Sequence, residues 1–176
     1  MRTKFTFLVL LAMFSLMTAC TGDKEAGSTS AVNPTTAATP APLANINYIT
    51  GIYDEEKGPA GSWRWVGEQG TIKLKNNKTD MRLKITGSAP VDLIGQSTEV
   101  TIKLNGEQLE KTTLTKDKNT LDKEFTITTS KQTSGDMSEL TITSSKSFVP
   151  KQVYKNSADD RKLSFSLTKL EWEPKP

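Results

Sequence analysis

From Ile46 to the C-terminus, apolar residues recur at every second position. Ile72 and Leu74, then Met81, Leu83 and Ile85, then Val100, Ile102 and Leu104 alternate with Lys, Arg, Thr and Glu. Phe125 and Ile127, Leu140 and Ile142, and Leu163, Phe165 and Leu167 repeat the pattern. This is the signature of strands with one face buried and the other wet, and no stretch carries the 3.6-residue period of a helix. Turn-forming residues separate the runs at Asn76-Asn77, Gly87 with Pro90, Asn105-Gly106, Lys116 to Asn119 and Ser134-Gly135-Asp136, and the Asn-Gly pair is the clearest hairpin. After Leu167 the apolar phase slips to Leu170 and Trp172, which predicts a bulge near Thr168-Lys169 or a twist at the strand end. Roughly seven to nine short strands at this spacing predict an all-β domain over residues 46–176: an antiparallel β-sandwich, jelly-roll or immunoglobulin-like, with a small barrel as the alternative. Thr and Lys on the outward positions suit solvated faces and blunt the strand edges.

Upstream the pattern is of another kind. From Thr21 to about Ala44 the chain is rich in Ala, Thr, Ser, Gly and Pro and contains no aromatic residue. Such a segment cannot bury enough apolar surface to offset the entropy of ordering it, so residues 20–45 are expected to form a flexible linker. Two dozen residues of coil span ~25 to 30 Å. Before the linker, Arg2 and Lys4 precede an apolar run from Phe5 to Met17, and small Ala19 precedes Cys20. Residues 1–19 therefore have the layout of a signal peptide, and the apolar run is shorter than the ~20 residues a stable membrane span needs. Leu16-Met17-Thr18-Ala19-Cys20 resembles the lipobox of bacterial lipoproteins, with Met17 standing where Leu is more usual. The resemblance implies cleavage before Cys20 and a diacylglycerol thioether on that residue, where each buried lipid methylene adds about 0.8 kcal/mol. Thr21, rather than Asp, after the cysteine implies by the same resemblance the outer membrane of a Gram-negative envelope. The alternative is a plain secretory signal and a free thiol, a liability outside the cytoplasm.

Composition then narrows the chemistry. Of the 176 residues, removal of the first 19 leaves 157, enough for one domain with a real core. Arg2 and Lys4 leave with the signal, taking 23 basic residues to 21 against 20 acidic ones, so nothing points to nucleic acid as a partner. There is no histidine. With Cys20 lipidated, His-based general bases, Ser-His-Asp and Cys-His systems, and nitrogen–sulfur metal sites are all removed. Paired carboxylates remain, as in glycoside hydrolysis. The dense acidic groups are Asp54, Glu55 and Glu56, and Asp159 and Asp160, and acidic clusters in loops are usually solvated or ion-paired. No catalytic residue is assigned and the chain is read as a non-enzyme.

Candidate binding residues fall in two regions. In the first, strand alternation puts Trp63 and Trp65 on one face and Arg64 on the other. Trp65 is expected in the core. Trp63 follows Gly58-Pro59-Ala60-Gly61, read as a flexible loop, and is placed either in packing or on an exposed surface that stacks on a sugar ring with Tyr53 or Tyr154. In the second, Phe148 to Pro150 is an apolar stop before a loop, and Asp159-Asp160-Arg161 opens the last strand run. Arg64 and Arg161 with Glu56 and Asp159 are expected to form a charge network where loops converge, either pinning loop to sheet or lining a polar sugar site. Asp159 and Asp160 also offer oxygen ligands for a calcium ion, the one cofactor the sequence suggests.

The ordered motifs Gly51-x-Tyr53-x-x-Glu56, Arg64-Trp65, an Asn-Gly hairpin, Phe148-x-Pro150 and Asp159-x-Arg161-x-Leu163 together resemble the all-β accessory domain at the C-terminus of many bacterial membrane glycosyltransferases. The match spans Ile49 to Trp172. Ser164 stands where such domains commonly carry Gly, and no transferase or membrane-spanning part is present. The resemblance implies a carbohydrate-associated β-sandwich without catalysis. The expectation is thus a lipid-anchored envelope protein whose sandwich binds glycan or another envelope polymer; the alternative is a structural or assembly lipoprotein acting through protein contacts. Cys20→Ser should abolish lipid labelling and release the protein from the membrane fraction; palmitate incorporation that survives the change would end the lipoprotein reading.

Overall fold

The structure, a computed structural model, describes residues 45–176; the expected signal peptide, Cys20 and nearly all of the expected linker lie outside the described residues. The first strand, β1 (Ile46–Gly58), begins where the two-residue period begins, and β2 (Gly61–Lys75) follows it. Then come β3 (Met81–Ser88), β4 (Ser97–Leu104), β5 (Glu107–Thr115), β6 (Thr120–Ile127), β7 (Met137–Ser144) and β8 (Phe165–Pro174). A 3₁₀ turn spans Thr129–Lys131, and a single helical turn, α1 (Pro150–Val153), opens on Pro150. One turn is too short to leave a period in the sequence.

All pairings are antiparallel, in the order β5-β4-β7-β2-β8-β3-β6, with β1 beside β2. The long strand β2 joins the two halves: Gln69–Lys75 pairs with β7 and Arg64–Val66 pairs with β8. The sheet curls so that its end strands, β5 and β6, meet. They are consecutive in sequence, joined by a turn in which Thr115 and Lys118 exchange backbone hydrogen bonds of 3.0 and 3.1 Å. No ladder closes them; Lys123 of β6 instead reaches Glu110 of β5 at 2.7 Å. The result is a sandwich-like domain curled into a near-barrel, between the two architectures the sequence suggests.

The predicted alternation places the core. Ile72, Leu74, Met81, Leu83, Ile85, Val100, Ile102, Leu140, Ile142 and Phe165 are all fully buried, drawn from both halves of the sheet. Trp172 closes one end, its indole N–H donating to the Lys75 carbonyl at 2.7 Å. Buried hydroxyls are paired: Thr98 with Ser144 (2.9 Å), and Ser138 with the side-chain amide oxygen Oδ1 of Asn76 (2.7 Å), so the interior leaves no unpaired hydroxyl at these points. On the wet face Arg82 of β3 pairs with Glu124, Glu171 and Glu173, binding β6 and β8 to its own strand.

The irregularities follow the sequence signals in two places and depart from them in one. The phase slip after Leu167 is a bulge. Thr86 faces Lys169 and Gly87 faces Leu167, leaving Thr168 as the extra residue, and its hydroxyl donates to the Thr86 carbonyl at 3.1 Å. The Asn105-Gly106 hairpin forms with φ of 52° and 83°, the positive values a type I′ turn requires. Gly87, expected in a turn, lies instead inside β3; its lack of a side chain is used in packing, because a Cβ there would lie 2.3 Å from Phe165 Cζ and 2.4 Å from the Ser166 carbonyl. Gly87→Ala should therefore lower stability by about 1 to 3 kcal/mol. Gly135→Ala, where the nearest atom is 4.0 Å away, should stay within about 0.5 kcal/mol of the parent, both read by denaturant unfolding.

Candidate functional site

Most of the candidate residues ride on the β1–β2 hairpin. The expected flexible loop at Gly58-Pro59-Ala60-Gly61 is a two-residue turn, because Gly58 and Gly61 are paired ladder residues with only Pro59 and Ala60 between them. Tight closure fixes the register: Glu56 sits opposite Trp63 and Glu55 opposite Arg64. Cross-strand partners share a face, so Glu56, Trp63 and Trp65 stand on one side of the hairpin and Glu55 and Arg64 on the other.

On the first side the distant segment 148–163 is clamped to β1. Arg161 Nε and Nη2 donate to the two carboxylate oxygens of Asp159 (2.9 and 2.7 Å), a bidentate fork. Nη2 also donates to Glu56 Oε1 at 2.8 Å. The guanidinium lies 5.1 Å from the centre of the Tyr53 ring, and the Tyr53 hydroxyl donates to the Lys162 carbonyl (3.4 Å). Backbone bonds complete the clamp: Phe148 and Leu163 exchange bonds of 2.8 Å, and Lys151 N–H donates to the Asp159 carbonyl at 2.8 Å. Trp65 packs against the core and meets Phe148 edge-to-face at 6.0 Å. Ser164 is fully buried, and its hydroxyl donates to the Val66 carbonyl at 3.1 Å.

On the second side Arg64 stands apart from that network. Its Nη1 donates to the Tyr53 carbonyl at 3.2 Å, and its guanidinium stacks on the Tyr48 ring, 4.5 Å from the centre. Tyr48, Glu55, Ser62, Trp63 and Arg64 line one wall of a small cleft of about 60 Å³, and the bulged stretch Leu167–Leu170 of β8 lines the other. The sequence-predicted network therefore divides. Glu56, Asp159 and Arg161 come together around Tyr53, whereas Arg64 faces the opposite side because it is one residue out of phase with Trp63.

Geometry decides between the remaining alternatives. Of the two placements open to Trp63, the structure takes packing: it is half-buried, a Cβ on Gly58 would lie 3.1 Å from its six-membered ring, and its indole N–H is enclosed with no acceptor among the described residues. Tyr154 caps α1 at 51% exposure, and among the described residues the aromatic ring pair is Trp65–Phe148, so neither Tyr53 nor Tyr154 stacks with Trp63. Both carboxylate oxygens of Asp159, offered above as calcium ligands, accept from Arg161, and no group of three potential metal ligands forms among the described residues. Tyr48 and Glu55 were missed. Tyr48 carries the signal, since it is one of three tyrosines and sits in the alternating run after Ile46, but its partner depends on bulges in β1.

The hydrogen bonds from Arg161 hold the Asp159 carboxyl below its ordinary range, with burial opposing them, and the Arg161 guanidinium is pushed still further above its ordinary value by Asp159. A carboxylate whose pKa is depressed by folding stabilises the fold above its unfolded pKa and loses that contribution as pH falls through the lower folded value. Asp159→Asn and Arg161→Met should each destabilise by about 1 to 2 kcal/mol at neutral pH, given partial exposure. The double change should cost less than the sum, because each single change strands a partner. The Asp159→Asn deficit should shrink below pH ~4, where the unfolded aspartate takes up its proton. Additive effects at neutral pH would dissolve the clamp.

No protein-family model matches the chain, and no curated protein matches it. Solved structures similar to it include the secreted serine protease VesC from Vibrio cholerae (16% identity, 76% of this chain and 25% of that one, TM-score 0.40). The sugar-binding C-terminal domain of EclA is also similar (12% identity, 80% of this chain and 87% of that one, TM-score 0.37). So is an exo-beta-1,3-galactanase from Phanerochaete chrysosporium (10% identity, 73% and 28%, TM-score 0.35). The chain spans about a quarter of the protease and of the galactanase, and at these TM-scores the likenesses carry no weight for function.

Proposed function

We propose that this chain is an envelope lipoprotein, held at the membrane through Cys20, whose β-domain is a non-catalytic module binding glycan or another cell-envelope polymer. The observation that carries the reading is the Tyr48–Arg64 stack in the wall of the polar cleft between the β1–β2 hairpin and the β8 bulge. A ring held rigid by a guanidinium loses little entropy on contact, and Glu55, Ser62 and Thr168 offer hydroxyl and carboxylate partners beside it. Against catalysis stands the use of the acidic groups: Glu56 and Asp159 share one guanidinium, and an aspartate held ionised has no proton to give a leaving group. The motif resemblance to glycosyltransferase accessory domains points the same way.

A second reading has its own observation. Strand β1 pairs only with β2, and Tyr48 and Ile49 on it are 38% and 52% exposed, so its outer edge is open to a strand from a partner protein. A glycan array probed with the full chain carrying Cys20→Ser separates the two. Glycan binding should be retained by the parent and lost, by about tenfold or more, in Tyr48→Ala and Arg64→Ala, with unfolding free energy changed by less than about 1 kcal/mol. An array without hits, together with envelope proteins captured in a Tyr48-dependent manner, would replace the glycan reading with the assembly one.

A further inference from the structure

The described residues include three arginines, and two of them are spent on carboxylates of the chain itself. Arg82 holds Glu124, Glu171 and Glu173, and Arg161 holds Asp159 and Glu56. Arg64 pairs with no acid among the described residues. Glu55 faces it across the β1–β2 ladder, yet that carboxylate is drawn off to Lys57 at 3.8 Å.

In other respects Arg64 is set up as Arg161 is. Each guanidinium rests on a tyrosine ring of β1, Arg161 on Tyr53 at 5.1 Å from the centre and Arg64 on Tyr48 at 4.5 Å. In Arg161 the edge formed by Nε and Nη2 grips Asp159, at 2.9 and 2.7 Å. In Arg64 the one bond runs from Nη1 to the Tyr53 carbonyl (3.2 Å), which leaves the same Nε–Nη2 edge without an acceptor among the described residues. The residue is partly buried, but those two nitrogens are not enclosed, so a ligand can reach them. Such an edge is a planar pair of donors matched to a carboxylate, and the Tyr48 ring and the Tyr53 carbonyl hold it in place.

The cleft that Arg64 lines limits what enters it. Its volume of about 60 Å³ is far below the roughly 300 Å³ at which ordinary small-ligand sites begin. A water takes about 30 Å³ of the liquid, so the cleft admits a substituent of about three heavy atoms and not a whole sugar ring. Lys169 on the opposite wall is paired with Glu171 at 2.8 Å, so Arg64 is the charge in this cleft left without a counter-ion. The larger cavity at the far end of β2, about 380 Å³ and lined by Asn76 and Gln132, holds no charge in this way. Its Lys78 and Asp136 are exposed, and the Asn76 amide is spent on Thr133, Gly135 and Ser138.

We infer that the ligand of the Tyr48–Arg64 cleft is an acidic glycan, a polymer of uronic acid residues whose carboxylate enters the cleft and completes Arg64 as Asp159 completes Arg161. The sugar ring then stays at the rim, beside the Tyr48 ring and the Ser62 hydroxyl. A neutral saccharide would offer the open edge single hydroxyls in place of a matched pair of anionic oxygens, and would leave the guanidinium without a counter-ion. The inference rests on the reading of this cleft as a glycan site and names the class of glycan.

The test is a titration of the full chain carrying Cys20→Ser with an oligogalacturonate, its methyl ester, a neutral oligogalactoside and an acidic peptide. The ester keeps the sugar and removes the charge. Oligogalacturonate should bind saturably, and the ester and the neutral oligosaccharide should each bind at least about tenfold more weakly. Arg64→Lys keeps the charge but not the fork, and should weaken the oligogalacturonate by about tenfold. In the parent, the Arg64 Nε–H resonance should shift on saturation while that of Arg161, already occupied, stays in place. Equal affinity for acid and ester, or oligogalacturonate binding that leaves the Arg64 resonance unmoved, overturns the acidic assignment and leaves the glycan reading standing. An acidic peptide that binds as tightly as the oligogalacturonate also overturns it, in favour of a protein partner. If all three saccharides are silent up to about 50 mM, where even a millimolar site is filled, the glycan reading falls as well.

Discussion

The continuity of β2 is the constraint on which everything else rests. One strand supplies the ladder for β7 with its second half and for β8 with its first, so the two halves of the sheet are set relative to each other by backbone hydrogen bonds rather than by side-chain packing alone. Val66, Ile72 and Leu74, all fully buried, carry its inward face through both halves. A slip of one residue in this strand would turn all three outward at once. The same continuity sets where the recesses lie, because the Tyr48–Arg64 cleft is at the start of β2 and the cavity lined by Asn76 and Gln132 is at its end.

The clamp around Arg161 answers a local problem of topology. Between β7 and β8 the chain must travel some twenty residues with only one helical turn of its own. Loops of that length cannot satisfy their backbone groups by repetition. Here they are tied at intervals: Ser147 and Lys162 both donate to Glu68, Phe148 bridges Leu163, and Arg161 gathers Asp159 and Glu56. The arginine is suited to this because its fork can hold two carboxylates while its face rests on Tyr53.

What was legible in the sequence was whatever a period of two can encode. The buried residues of β3, β4 and β7 sit where alternation puts them, and so do the Asn105-Gly106 turn and the bulge after Leu167. The union of Glu56, Asp159 and Arg161 was also legible, from charge type and motif order. What was not legible depends on shifts in register. Counting back from the turn at Pro59 gives Glu55 opposite Arg64, but three irregularities in β1 beyond that point re-aim Tyr48, so its stack on Arg64 follows from no simple count. The choice between packing and exposure for Trp63 was hidden for a related reason: a loop before it would have left it free, whereas a two-residue turn lays its ring over Gly58. The Gln132 cavity is assembled from two loops distant in sequence, where periodicity is silent.

The unclosed seam between β5 and β6 gives the domain a direction of opening. A completed barrel has no seam, but here β5 and β6 meet with outer amides that find no ladder, and one lysine–glutamate contact is laid across the gap. Fluctuations should therefore begin at that seam and run inward strand by strand, so amide deuteration would sweep from β5 and β6 toward β2 and β8, which surrender last. Raising the ionic strength weakens the Lys123–Glu110 contact and widens the breach while leaving the interior strands in place. The domain thus has a rigid spine flanked by a breathing margin, and both recesses are built against the spine.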